Sequence, residues 1–341
     1  MRPPDRSAVV TRVGVIGAGA WGTALANLLA AKGESVTLWA YEPEVVAGVN
    51  GQHVNPLYLT GCRLADTLRA TGDLAEAVRD AAVVVCVAPS HVARTVLREA
   101  GPAFRRDAIL VCATKGIETE SLKLMSEVAA EELRGRPFVA LSGPSFAVEV
   151  HQQQPTAVVA ASRHASAAAR AQELFATNTF RVYTNHDVIG TELGGALKNV
   201  IAIAAGILEG LGLGNNPRAA LITRGLAEMT RLGVACGADA QTFAGLAGMG
   251  DLILTTCGAL SRNRSLGVAV ARGTSLDDWR RQHRTVAEGV NTARAAAALG
   301  ARHRVELPIT EQVAAILFDG KPPRQAIADV MERTLKPEQW S

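Results

Sequence analysis

The chain has 341 residues, of which 48% are hydrophobic, 20% charged and only 4% aromatic. That length passes the roughly 250–300 residues at which a single core stops growing, so two domains are expected, and the composition excludes a disordered chain. The formal charge of +3 is not gathered into a Lys/Arg block, so there is no nucleic-acid or membrane footprint, while an anionic small molecule stays open.

Residues Met1 to Ser7 are polar and Pro-rich and lack the apolar stretch of about 7–15 residues that a signal peptide needs. No continuous run of about 18 apolar residues follows, so no membrane insertion is expected. The cysteines, Cys62, Cys86, Cys112, Cys236 and Cys257, are scattered without C-x-x-C or Cys/His ligand spacing, which points to a reducing, cytoplasmic setting and to no metal site.

From Arg12 to about Tyr183, short β-branched runs alternate with longer Ala/Leu/charged stretches, which predicts a doubly wound, mainly parallel α/β sheet with covering helices. The strand candidates are Val13–Ile16, Ser35–Leu38, Val83–Val87, Ile109–Cys112, Phe138–Leu141, Ala157–Ala161 and Phe180–Tyr183. Several are continuously apolar, as strands buried on both faces are. Asp73, Ser90 and Ser121 are expected helix N-caps, and Gly33 and Gly101 expected terminators. Beyond Asp187 the period changes: Leu193–Leu211, Ala219–Cys236 and Thr292–Leu299 read as Ala-rich helices at a 3.6-residue period. The expected division is therefore a Rossmann domain over residues 1–188 and an all-α domain over 189–341, with Lys336–Ser341 as a frayed tail.

The sharpest motif is Gly17-Ala18-Gly19-Ala20-Trp21-Gly22, placed directly after the strand Val13–Ile16 and before the helical stretch Thr23–Ala31. In that context Gly17 permits a tight turn, Gly19 lets the backbone approach a pyrophosphate, and Gly22 allows close packing of helix on strand. The helix N-terminus then offers N–H groups to the anion. About twenty residues further on, Ala40-Tyr41-Glu42 stands where an acidic side chain selects a free ribose 2′-hydroxyl and an Arg a 2′-phosphate. Glu42 reads either as that acid or as a first-turn charge complementing a helix dipole, so NAD and NADP both stay open.

Further peptides add specificity. They are Pro89-Ser90-His91, Thr114-Lys115-Gly116, Ser142-Gly143-Pro144-Ser145-Phe146-Ala147, Gly194-Gly195-Ala196-Leu197-Lys198-Asn199 and Ala220-Leu221-Ile222-Thr223-Arg224-Gly225. Gly250-Asp251-Leu252, Ser261-Arg262-Asn263-Arg264 and Val286-Ala287-Glu288-Gly289 follow. With the glycine-rich turn, this ordered set resembles the bacterial sn-glycerol-3-phosphate dehydrogenase family over nearly the whole chain. The resemblance implies reversible, NAD(P)H-dependent reduction of dihydroxyacetone phosphate to sn-glycerol 3-phosphate, in supply of the phospholipid backbone.

It also implies roles for residues. Lys198 is the expected general acid/base, because a proton moves to or from the C2 oxygen as hydride moves at C2, and a second cation beside it lowers its pKa into a useful range. Substrate contacts are implied at Lys115, Gly143, Ser145, Lys198, Asn199, Asp251, Ser261, Arg262 and Asn263. Cofactor contacts are implied at Gly17, Gly19, Ala20, Trp21, Gly22, Tyr41, Lys115, Ala147, Arg262, Val286 and Glu288. Ser261-Arg262-Asn263 suits a phosphate chemically, since a guanidinium matches the oxyanion bidentately. Plainer readings stand beside these: Asp251 as the cap of a helix beginning at Leu252, Lys115 as a surface-turn lysine, Lys198 as a solvated helix lysine. Tyr41 departs from the family pattern, which often has Arg or His near that position. His91 lines the nicotinamide side at best. A helical second domain rich in Ala and Leu suits a homodimer. The competing functions are a β-hydroxyacid dehydrogenase of the same architecture and a non-catalytic dinucleotide sensor.

Overall fold

The computed structural model describes residues 10–283, 287–335 and 337–338. The chain forms two compact units. The first comprises residues up to Thr114, Met125–Leu141 and Ser145–Val188; the second comprises Lys115–Leu124, Ser142–Pro144 and the chain from Ile189 onward.

The first unit opens with β1 (Arg12–Ile16), α1 (Ala20–Ala31), β2 (Ser35–Trp39), α2 (Pro43–Gln52), β3 (Val54–Asn55), β4 (Leu59–Arg63), β5 (Arg69–Thr71) and α3 (Leu74–Val78). It continues through β6 (Val83–Cys86), α4 (Ser90–Ala100), β7 (Ile109–Cys112), α5 (Met125–Glu132), β8 (Phe138–Ser142), α6 (Ala147–His151), β9 (Thr156–Ala161), α7 (Ala165–Phe175) and β10 (Phe180–Asn185). Eight strands make one sheet in the order β10-β9-β8-β7-β6-β1-β2-β5. Pairing is parallel from β5 through β2, β1, β6 and β7 to β8, and between β9 and β10. Side chains alternate between two cores: Val83 and Val85 of β6 join one, Val84 and Cys86 the other. Burial on both faces explains why these strands read as unbroken apolar runs. The strand order reverses at β1, and the glycine-rich turn leaves that strand at the switch point where ligands of open sheets bind.

All seven expected strands form, within two residues at their ends. The three others, β3, β4 and β5, are two to five residues long and rich in Gly, Thr and Arg, too short and polar to show a period. Asp73 caps α3 as expected, accepting from the N–H groups of Ala75 and Glu76. Ser90 does not cap; it is the first helical residue of α4, with Pro89 in the cap position. Ser121 is no cap either. It lies in a turn closed by an Ile117–Leu124 bridge, where its hydroxyl accepts from Lys123 N–H and bonds Glu118, while α5 starts only at Met125.

The second unit contains α8 (Val188–Gly210), α9 (Asn215–Ala235), α10 (Ala240–Ala244), α11 (Asp251–Cys257), α12 (Arg262–Ala271), α13 (Leu276–Gln282), α14 (Glu288–His303), α15 (Pro308–Phe318) and α16 (Pro323–Met331). A π-helical turn, Leu246–Gly250, runs into α11. The core is built around α8, whose Leu193, Leu197, Val200, Ile201 and Ile207 pack with Met229 of α9, Leu252 of α11, Leu266 of α12 and Ala296 of α14. Among the described residues α8 is the one helix long and apolar enough to cross a membrane, but 89% of that stretch is buried inside the protein. Its apolar length is that of a central core helix.

Candidate active site

Two places in the fold carry the residues singled out by sequence. In the first unit, α1 begins at Ala20, three residues earlier than the pattern suggested, with Gly19 in the cap position and neither a side-chain cap nor an acidic residue in the first turn. No side chain of the protein therefore competes with an anion for its N-terminal N–H groups. Gly17 has φ +107°, a conformation that a side chain resists, and a Cβ on Gly22 would lie 1.9 Å from the Gly17 carbonyl oxygen. A Cβ on Gly19 would meet nothing within 4 Å, so the open side of the turn lies there. The indole N–H of Trp21 is buried without a protein acceptor. A bare helix start, a turn that excludes side chains at Gly17 and Gly22 and is open at Gly19, and an orphaned donor together fit a dinucleotide.

Tyr41 is 81% exposed. Glu42 occupies the N-cap position of α2 without capping it; its Oε1 accepts from Tyr58 Oη at 2.6 Å. Neither sequence reading of Glu42 included that partner. Ser145 and Ala147 belong to the first unit, Ala147 as the first residue of α6, and both are partly buried.

The second place lies wholly in the second unit. Asp251 is fully buried and stands between two lysines: Oδ2 is 2.6 Å from Lys115 Nζ, and Oδ1 is 2.7 Å from Lys198 Nζ. Lys115 Nζ also donates to the Gly143 carbonyl at 3.0 Å, and Lys198 Nζ to Thr255 Oγ1 at 2.7 Å. Thr255 is one turn along α11 from Asp251, whose carbonyl accepts its hydroxyl proton at 2.7 Å. Asp251 is the first residue of α11 and caps nothing; its carboxylate is committed to the lysines. Thr255 was not foreseen, because a Thr inside an apolar stretch reads as core until the fold sets it against Lys198.

Burial drives the Lys198 ammonium down to about 8, and the nearby charges of Lys115 and Arg262 push the same way while Asp251 opposes them. Asp251 is likewise buried, which alone would raise its carboxyl, but the two ammonium groups outweigh that and hold it below the ordinary carboxylate range. Lys198 uses two of its three donors on Asp251 and Thr255, leaving one N–H for a ligand.

Arg262 opens α12 and is solvent-exposed, with the Ser261 hydroxyl capping the helix by accepting from Arg264 N–H at 3.2 Å. The side-chain amides of Asn199 and Asn263 bond each other and the backbone, not the lysine ammonium groups. Asn263 Nδ2 donates to Asn199 Oδ1 at 2.9 Å and its Oδ1 accepts from Gly289 N–H at 3.0 Å, a buried strut joining α8, α12 and α14. Asn199 Nδ2 gives one proton to the Gly195 carbonyl at 3.3 Å. Each amide keeps a second N–H for a ligand. Glu288 begins α14 and interacts electrostatically with Arg262. Val286 lies outside the described residues, as do Lys336 and residues 339–341 of the expected tail. Among the described residues no group of three or more His, Cys, Asp or Glu is placed to hold a metal ion.

Comparison with known proteins agrees with this geometry. Family models for the N-terminus and the C-terminus of NAD-dependent glycerol-3-phosphate dehydrogenase match residues 12–168 and 187–328. Glycerol-3-phosphate dehydrogenase [NAD(P)+] of Geobacter sulfurreducens is 56% identical over 332 residues, covering 96% of this chain and 99% of that protein. The corresponding protein of Nitratidesulfovibrio vulgaris is 50% identical over 329 residues, covering 96% of this chain and all of the relative. The crystal structure of glycerol-3-phosphate dehydrogenase from Coxiella burnetii superposes with a TM-score of 0.92 at 40% identity, covering 95% of this chain and 99% of that one. D-mandelate dehydrogenase, at 11% identity and a TM-score of 0.64, shares the fold alone. With both halves of the chain matched in order and relatives aligned nearly end to end, the chain belongs to the NAD-dependent glycerol-3-phosphate dehydrogenase family.

Proposed function

We propose that this protein reduces dihydroxyacetone phosphate to sn-glycerol 3-phosphate, reversibly, with NADH or NADPH, in supply of glycerophospholipid synthesis. The observation that carries the reading is the buried Lys115–Asp251–Lys198 array, in which each ammonium keeps one N–H for a ligand. Residues 1–188 bind the dinucleotide, through Gly17, Gly19, Ala20, Trp21 and Gly22, and residues 189–341 supply the acid/base and phosphate groups. The protein acts in the cytoplasm as a homodimer, without nucleic acid or membrane insertion.

When bound, NAD(P)H supplies the hydride that adds to C2. Lys198, as the ammonium, gives its remaining proton to the developing C2 alkoxide, and the neutral amine takes it back in the reverse direction. Asp251 and Thr255 hold Lys198 in place, and Lys115 polarises the C2 oxygen. Three cations, Lys115, Lys198 and Arg262, against the carboxylates of Asp251 and Glu288 leave a net positive charge that suits an anionic phosphate. Arg262, at the start of α12, offers both its guanidinium fork and the helix N-terminus to that phosphate, and Asn199 and Asn263 add their free amide protons.

The test is a spectrophotometric assay of NADH and NADPH oxidation with dihydroxyacetone phosphate, run beside carboxylated 2-keto and 3-keto acids and with Lys198→Ala as control. Turnover confined to the phosphorylated substrate and lost in the variant is expected. Turnover of a carboxylated substrate instead, or cofactor binding with no oxidation, would overturn it.

A further inference from the structure

The glycine-rich turn is held from behind by the side chains of Asn55 and Thr23. The carbonyl oxygen of Ala18 accepts from Asn55 Nδ2 at 2.8 Å and from Thr23 Oγ1 at 3.1 Å. Asn55 Nδ2 also donates to Thr23 Oγ1 at 2.8 Å, closing a triangle. On its other side Asn55 Oδ1 accepts from the N–H groups of Leu57 and Tyr58 at 3.1 and 3.0 Å. Both protons and both lone pairs of this amide are thereby committed, and Asn55 and Thr23 are each 0% exposed.

A trans peptide is planar, with its C=O and N–H on opposite sides. Pinning the Ala18 oxygen against Asn55 and Thr23 therefore turns the Gly19 N–H the other way, away from those two side chains. Glycines flank Ala18 on both sides, so sterics alone resist a flip of the Ala18–Gly19 peptide only weakly. The flipped peptide would present a carbonyl oxygen, rather than an N–H, to the anion.

We propose that Asn55 and Thr23 form a latch that fixes the Ala18–Gly19 peptide in its anion-accepting orientation, preorganising the turn for the dinucleotide pyrophosphate. Both are positioning residues, acting through the Ala18 carbonyl. The hairpin of β3 and β4, which carries Asn55, thus belongs functionally to the cofactor site. The inference rests on reading the Gly17–Gly22 turn as a dinucleotide site. It does not depend on which substrate is reduced.

The test is calorimetric titration of the full-length protein with NADH and with NADPH, without substrate, for wild type, Thr23→Val, Thr23→Ser and Asn55→Ala. Thr23→Val keeps the buried volume and removes the hydroxyl, so it keeps the test decisive even if Asn55→Ala fails to fold. The expected result is a rise in Kd of about tenfold in Thr23→Val, equal for both cofactors because the pyrophosphate is common to them, with Thr23→Ser within about twofold of wild type. In turnover, Thr23→Val should raise KM for the cofactor and leave kcat at saturating cofactor and KM for dihydroxyacetone phosphate nearly unchanged. A cooperatively folded Thr23→Val protein that binds both cofactors like wild type would overturn the latch, as would a loss confined to one of them. Wild-type protein that binds neither cofactor would overturn the dinucleotide reading itself.

Discussion

Lys198 Nζ lies 2.7 Å from Asp251 Oδ1, yet the lysine is held at about 8 because burial and the charges of Lys115 and Arg262 outweigh that carboxylate. The pair is thus poised to lose and regain a proton near neutral pH, which an exposed lysine is not.

The pH dependence follows with opposite signs in the two directions. Reduction of the ketone needs Lys198 protonated, so kcat should be level below the shifted value and fall as pH rises through about 8. Oxidation of the alcohol needs the neutral amine and should rise through the same value. Lys198→Ala should lose about 10²–10⁴-fold in kcat with cofactor affinity retained. Parallel pH–rate profiles in both directions check this, and profiles with breaks of the same sign would count against Lys198 as the group that titrates.

Replacing Asp251 with Asn leaves two ammonium groups side by side without their shared counter-ion. The opposing pull of Asp251 on Lys198 is lost, so the break in the rate profile should move below its wild-type position. Removing one partner of a buried ion pair typically costs about 3–5 kcal/mol, so the thermal midpoint should fall as well. A variant whose break stays in place would show that the carboxylate does not set the lysine's proton affinity.

Thr255→Val removes the hydroxyl that receives a proton from Lys198 and keeps the shape of the side chain. A hydrogen bond to a charged group contributes about 1.5–3 kcal/mol, so kcat should drop by roughly one to two orders of magnitude. Thr255→Ser should restore most of the rate. Equal loss in the Val and Ser variants would assign the effect to packing of the methyl group instead.

What was legible in the chain follows from the range of the interactions. Continuous apolar strands such as Val83–Cys86 declare themselves because burial on both faces selects each residue in turn. The glycine-rich turn is equally local. Asn55 and Thr255 act across 37 and 57 residues of chain, on Ala18 and Lys198, and nothing near them in sequence marks the partner. The amide strut of Asn199 and Asn263 shows the same limit from the other side. Both residues were singled out as substrate contacts, and the fold also uses their amides to join three helices, a role that only tertiary packing assigns. Glu42 stayed ambiguous because Tyr58, its partner, comes from a loop whose two short strands carry no period.

Glu228, on α9, extends that pattern to stability. Its carboxylate accepts from Ile309 N–H at 2.6 Å, from Thr310 N–H at 3.2 Å and from the Thr310 hydroxyl at 3.2 Å. It thus serves the first turn of α15, where Pro308 has no N–H and Leu307 offers no side-chain cap. Burial pushes Glu228 up to about 7, against the pull of those N–H groups and of Arg231 on the same helix. The charges around Arg231 are Arg224 on α9, Glu306 ahead of α15 and Arg333 beyond α16. Because the folded value lies above the unfolded one near 4.5, the proton held by the folded state stabilises it fully at acid pH. That contribution, up to about 3 kcal/mol, fades as pH rises from about 4.5 to about 7. Glu228→Gln cannot titrate, so it should gain stability relative to wild type as pH increases across this window. Denaturant unfolding of both proteins between about pH 5 and about pH 8 isolates the difference, since every other titrating group is common to the two. A stability difference that stays constant with pH would show that Glu228 keeps one protonation state throughout.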